Sequence, residues 1–188
     1  MKDNVFGKIT YKDGVWTGTS TINICVCDRP QEVMIEIESV NEIYDEINLG
    51  IMDKTIADII IKNSNEYDEE QTIKDKIKQQ QLFEELIIKK IKEVENNIKT
   101  AAINELKDVL QDYDIESLGK FIGREKATRL MSANTVNEKL ESLQLTVMRV
   151  FKDRIEIKCI CDWYKYGGGF IIIENGECLM RPIDSLSF

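Results

Sequence analysis

Apolar and polar residues alternate at both ends of this chain, and apolar residues recur at helical spacing in the middle. Residues 5–11 read as a strand, and Lys12-Asp13-Gly14 as a hairpin turn, because Gly14 tolerates positive φ. Val15 to Thr19 would return antiparallel. Ile22 to Cys27 is a third strand, closed by Asp28-Arg29-Pro30. In a fourth, Val33 to Glu38, the side chains of Val33, Ile35 and Ile37 oppose Met34, Glu36 and Glu38. Such a meander buries one face.

From about Asn41 the period changes. Met52, Ile56 and Ile59 or Ile60 are helix-spaced, and Asn63-Ser64-Asn65 ends that element. A longer stripe follows: Ile73, Ile77, Phe83, Ile87, Ile91, Val94, Ile98, Ala102, Leu106, Val109 or Leu110, and Tyr113. Lys, Glu and Gln fill the gaps, all good helix formers. One helix from Asp68 to Tyr113 would be unusually long, so an interruption is expected near Gln79-Gln80-Gln81 or Asn96-Asn97. Gly119 and Gly123 break the next stretch. Asn134 fits as the N-cap of a short helix over Thr135 to Ser142.

Strand patterns then resume at Leu145 to Phe151, Arg154 to Trp163, Phe170 to Ile173 and Cys178 to Ile183. Glu174-Asn175-Gly176-Glu177 forms a turn around an Asn-Gly pair. Strands, helices, then strands predict an α+β fold. An antiparallel sheet from the N- and C-terminal strands would carry the central helices on one face. The expected division is a single domain over 1–188, with strands in 1–40 and 144–188 and mainly helix in 41–143.

Net charge is −9, from 34 acidic and 25 basic residues. That excess opposes binding to nucleic-acid phosphates and to anionic membranes, and it would steer a basic protein towards this one. No run approaches a membrane span. Met1-Lys2-Asp3-Asn4 leads straight into a strand pattern without a signal peptide, so a cytoplasmic location is expected. Five cysteines is an odd number and suggests reduced thiols.

The chain has no histidine, which removes Ser-His-Asp and Cys-His nucleophile pairs and the commonest acid/base. Two Cys-x-Cys-Asp segments, at Cys25 and Cys27 and at Cys159 and Cys161, could supply four thiolates to zinc. However, Cys159 and Cys161 continue the apolar line Ile155, Ile157 towards Trp163, whereas Cys25 and Cys27 oppose the line Ile22, Ile24, Val26. The second pair therefore reads as buried small hydrophobes, and no metal or other cofactor is expected. Asp112-x-Asp114-x-Glu116 lacks the glycine of a calcium loop and reads as an acidic turn at a helix end. Gly167-Gly168-Gly169 precedes a strand, so it fits neither phosphate-binding glycine motif and reads as a flexible loop. Beside it, Trp163, Tyr164 and Tyr166 form a candidate partner-binding patch.

Phe6-Gly7-Lys8-Ile9-Thr10-Tyr11 followed by Asp13-Gly14-Val15-Trp16-Thr17-Gly18 resembles the Phe-Gly, then Trp-x-Gly, opening of a widespread group of bacterial domains of unknown function. Asn137 to Leu145 resembles their short helix before the last strands, and Asp153 to Ile173 their following hairpin. Where those domains often carry Gly-His, this chain has Gly168-Gly169-Phe170, so a role resting on that histidine does not transfer. The resemblance implies an immunity or toxin-neighbourhood protein. Together with the acidic charge, it leads to the expectation of a non-enzymatic protein-binding domain that neutralises a basic toxin. The alternatives are a histidine-free enzyme using carboxylates or Lys165, and an adaptor that self-associates through the helical stripe.

Overall fold

The computed structural model describes residues 2–3, 7–12, 15–37, 74, 77–111, 113–165 and 167–183. Expectations for 38–73, including the helix around Met52 to Ile60, lie outside the described residues. Among the described residues, eight strands follow chain order across one sheet. They are β1 (Lys2–Asp3), β2 (Gly7–Lys12), β3 (Val15–Val26), β4 (Arg29–Ile37), β5 (Gln144–Val150), β6 (Arg154–Ile160), β7 (Gly168–Glu174) and β8 (Glu177–Pro182). The expected third strand is the second half of β3, which a bulge between Thr17 and Thr21 bends without breaking.

Every neighbouring pair is antiparallel except β4 and β5, which run parallel with Met34 opposite Val147 and Ile37 opposite Val150. The antiparallel expectation is corrected at this one pair. Hairpins reverse direction, whereas the whole central region separates β4 from β5 and is long enough for a crossover. The Gln31 side chain extends this junction. Its amide nitrogen donates to Leu143 O at 3.0 Å, and its oxygen accepts from Leu145 N at 2.6 Å.

Helix α1 covers 77–83 and passes into a π-turn, Glu84–Ile88, closed by Lys89 N–H donating to Glu84 O at 2.8 Å. The long helix α2 spans Ile91–Gln111. The interruption thus falls at 84–90, and Asn96 and Asn97 lie inside α2. The physical reason is in the spacing. Gln79, Phe83 and Ile87 are buried at intervals of four, which drifts about 40° per step around an α-helix. A wider turn keeps the stripe on one side. Helices α3 (Ile115–Ile122), α4 (Arg124–Ser132) and α5 (Val136–Lys139) follow.

Gly119 continues α3 and does not break it; an added Cβ would lie 3.3 Å from Arg124 Cα, so its smallness sets how tightly α4 follows. Gly123, at φ 93°, makes the break. Asp114 caps α3 by accepting from Ser117 N at 2.7 Å. Thr135, one residue past the expected Asn134, caps α5 in a reciprocal box with Glu138.

Helix α2 is about 31 Å long, enough to cross six strands spanning about 24 Å, and it touches both β3 and β8. Beneath it lie Ile24, Val26, Val33, Ile35 and Ile37 from the N-terminal strands. From the C-terminal strands come Met148, Val150, Ile155, Ile157 and Ile171. Phe83, Ile87, Val94, Ile98, Ala102 and Leu106 pack on them from the helices. No helix among the described residues is long and apolar enough to cross a membrane.

Candidate interaction surface

Alternate residues of a strand point to opposite faces, so the residues between those core positions project from the other face, which is helix-free among the described residues. Ladder pairing sets them in rows. Met34, Val147, Lys158, Phe170 and Arg181 form one row across β4 to β8. Glu36, Arg149, Glu156, Ile172 and Leu179 form the next. Ile160 extends beyond the first row, beside Gln144, while Arg154, Glu174 and Glu177 extend beyond the second.

This face is neither a plain solvated surface nor a core. Met34, Ile160 and Leu179 are 43%, 48% and 47% exposed. Phe170 is buried, yet it stands apart from the helix-side core. Two ion pairs lie among them. Arg149 Nε lies 3.2 Å from Glu36 Oε2, and Arg154 Nε donates to Glu156 Oε1 at 2.8 Å. Arg154 also lies over the Phe151 ring, 4.3 Å from its centre. Four cations (Arg149, Arg154, Lys158, Arg181) meet five carboxylates (Glu36, Glu156, Glu174, Glu177 and, two residues before Met34 on β4, Glu32), so this face is close to neutral among the described residues. Exposed apolar side chains beside ion pairs make this face the candidate interaction surface.

The expected aromatic patch is placed differently. Trp163 is 2% and Tyr164 6% exposed, inside the core cluster, and Tyr166 lies outside the described residues. Burial corrects the partner-binding expectation for Trp163 and Tyr164, since neither ring is offered to a partner. The glycine loop is corrected with it. Only Gly167, at φ 68°, lies in the connection, while Gly168 and Gly169 are buried residues of β7. The connection is tied by Cys161 N donating to Gly167 O at 3.1 Å and Gly167 N to Tyr164 O at 2.9 Å. Asp162 anchors it from outside, paired with Lys126 and Arg129 of α4, while its N–H donates to Ser142 Oγ.

The Tyr164 hydroxyl and Trp163 Nε1 are buried without a hydrogen-bond partner. The Glu105 carboxylate stands beside the hydroxyl, close enough for each to perturb the other, but not in good hydrogen-bond geometry. Burial, then the nearby Glu105 charge, raises the Tyr164 hydroxyl far above its ordinary range. Burial likewise raises Glu105.

Cys159 and Cys161 are fully buried, as the apolar line Ile155 to Trp163 requires. Cys27 is buried and Cys25 half-buried. The two pairs do not come together. Among the described residues, no group of three or more Cys, Asp or Glu side chains is placed to hold a metal. The groove between α3 and α4 holds Glu116, Lys120 and Arg124 beside Ile115 and Gly119, with Lys120 3.8 Å from Glu116. Lys165 is exposed beside Tyr164.

The helix-free face has no single-sequence signature, because its members become neighbours only through pairing across five strands. The available signal was the exposed half of each alternation, where Met34, Ile172 and Leu179 stand at positions expected to be polar. No protein-family model, curated protein or solved structure matches this chain.

Proposed function

We propose that this chain is a protein-binding domain whose contact surface is the helix-free face of its sheet. One observation carries the reading: Met34, Ile160 and Leu179 remain exposed on a face where Arg149 is paired with Glu36 and Arg154 with Glu156. Large apolar side chains in such a setting gain by leaving water against a complementary surface. The test is capture by the immobilised chain, wild type against an Ile160→Lys, Leu179→Lys double variant, with bound proteins read by mass spectrometry. The reading expects specific partners for wild type and their loss for the variant. Identical capture by both would end it.

A second reading, an immunity protein directed at a basic toxin, is favoured by the overall charge. The net charge of −9 would steer a basic protein by long-range attraction. Salt separates this mode, because attraction between opposite charges weakens as salt rises. A basic enzyme captured at low salt and released at high salt, with its activity inhibited by this chain, is the expected result. Capture unaffected by salt would contradict it.

A further inference from the structure

We infer that two copies of this chain pair edge to edge, β8 against β8, in an antiparallel seam centred on Leu179. The inference concerns the edge of the sheet and stands apart from whatever its open face contacts.

Hairpin geometry fixes which backbone groups β8 offers. Asn175 and Gly176 form a two-residue turn, so Glu174 and Glu177 are a bonded pair. Bonded and non-bonded pairs then alternate, so Leu179 and Arg181 bond inwards to Ile172 and Phe170. Cys178 and Met180 point their N–H and C=O groups away from β7. Pro182, which has no N–H, follows in the same outward set, where a proline fits a strand edge. β8 is the last strand of the sheet, and no described residue takes the outward groups of Cys178 or Met180. The open side of β3 is treated differently, because Glu95 occupies the Cys25 N–H there. An unblocked edge is a template for another strand.

The residues of β8 name that strand. In an antiparallel seam about Leu179, Cys178 and the partner's Met180 exchange both backbone bonds, and the two-fold axis repeats the exchange. Leu179, 47% exposed, meets the partner's Leu179 at a non-bonded position, where side chains come closest. Glu177 meets the partner's Arg181. Both residue types are exposed here, and neither has an ion pair among the described residues; Arg181 feels Glu105 of α2 without bonding to it. Opposite charges directly across a ladder stabilise it. A register two residues away loses the match: one direction sets Cys178 against the partner's Pro182, and the other sets Glu177 against the partner's Leu179. Bonding pattern and charge pairing therefore coincide in one register. The seam is two-fold and uses the one β8 edge of each chain, so it closes at a dimer. It is also much smaller than a standard interface, so the dimer is weak and forms as concentration rises.

Sedimentation velocity across a concentration series tests this. The mass should climb from 21.7 kDa towards twice that value and no further. Glu177→Lys and Arg181→Glu each set like charges across the seam. Each variant alone should keep the monomer mass while retaining the wild-type circular dichroism spectrum. Mixed in equal amounts, the two should associate again, because each supplies the charge that the other lacks. A wild-type chain that stays at 21.7 kDa at every concentration overturns the proposal. So does a folded single variant that associates like wild type, or a mixture that stays monomeric where wild type dimerises. If wild type is monomeric but Ile160→Lys, Leu179→Lys abolishes capture of a different protein, the seam falls and the open face stands. If the mixture dimerises and capture is unchanged by that variant, the seam stands and the open face falls.

Discussion

The ring of Tyr164 lies directly on Gly169: a Cβ added to that glycine would fall 2.6 Å from Tyr164 Cε2 and 2.6 Å from the backbone oxygen of Arg181. The glycine is what allows a tyrosine in the connection after β6 to pack against β7 beside β8. Gly169→Ala would have to move backbone as well as a ring, so it should cost about 1–3 kcal/mol. Denaturant unfolding measures this. A change below about 0.5 kcal/mol would show that Tyr164 is not seated there.

The Glu95 carboxylate accepts the backbone N–H of Cys25 at 2.6 Å and the Lys92 ammonium at 3.0 Å. Cys27 and Asp28, at φ 53° and 62°, form a two-residue turn in which Val26 and Arg29 are the bonded pair. The next pair, Cys25 and Pro30, then points its backbone groups outwards. Beyond Gly18 no described strand pairs with that side of β3, so Glu95 satisfies a donor at an open edge. Glu95→Ala should cost about 2 kcal/mol. Glu95→Gln, which keeps an acceptor, should recover most of that in the same unfolding assay. Equal losses for both variants would show that the acceptor is not what matters.

Thiol reactivity follows from burial. The neighbouring Cys159 side chain, then burial, hold the Cys161 thiol far above its ordinary range, and burial pushes Cys178 up to about 11. Only the thiolate alkylates readily. Cys159, Cys161 and Cys178 should therefore resist iodoacetamide at neutral pH until denaturant is added, as peptide mapping would show. Rapid labelling of Cys159 or Cys161 in the native chain would contradict their placement.

Glu105 gives the chain a pH-dependent cost. Its carboxyl is raised above its ordinary 4.5, first by burial, with Tyr164 and Arg181 lowering it and Asp108 raising it. A group raised on folding contributes stability that is fully present below its unfolded value and lost as pH climbs through the folded one. At neutral pH the ionised Glu105 is thus a net destabiliser. Glu105→Gln should melt above wild type at pH 7, and the difference should shrink as pH falls below about 4.5. A gap that widens on acidification would reverse the assigned sign.

Sequence pattern reaches some of this structure and stops at identifiable points. The Asn175-Gly176 turn was legible because both residues take positive φ, at 50° and 82°, where that pair is favoured. The alternation in Val33 to Ile37 and the line Ile155 to Trp163 were legible because burial follows the strand period directly. Direction was not: nothing in Val147 or Met34 encodes that their strands run parallel. The π-turn was hidden because its marker is a drift in spacing and not a residue type. Gly169 resembled a loop glycine because its reason for being small, Tyr164 and the Arg181 carbonyl, comes from elsewhere in the fold. The turn at Cys27 and Asp28 carries no glycine, and the sequence pattern placed it one residue too late.

The central claim is that one face of this sheet is open to contact while the other is sealed by helices, and two methionines report on it directly. Met34 on the open face is 43% exposed, and Met148 on the helix side is fully buried. With methyl-labelled methionine and a soluble paramagnetic agent, dilute protein should show the Met34 methyl strongly broadened and the Met148 methyl nearly untouched. Equal shielding of the two methyls in dilute, monomeric protein would contradict the account.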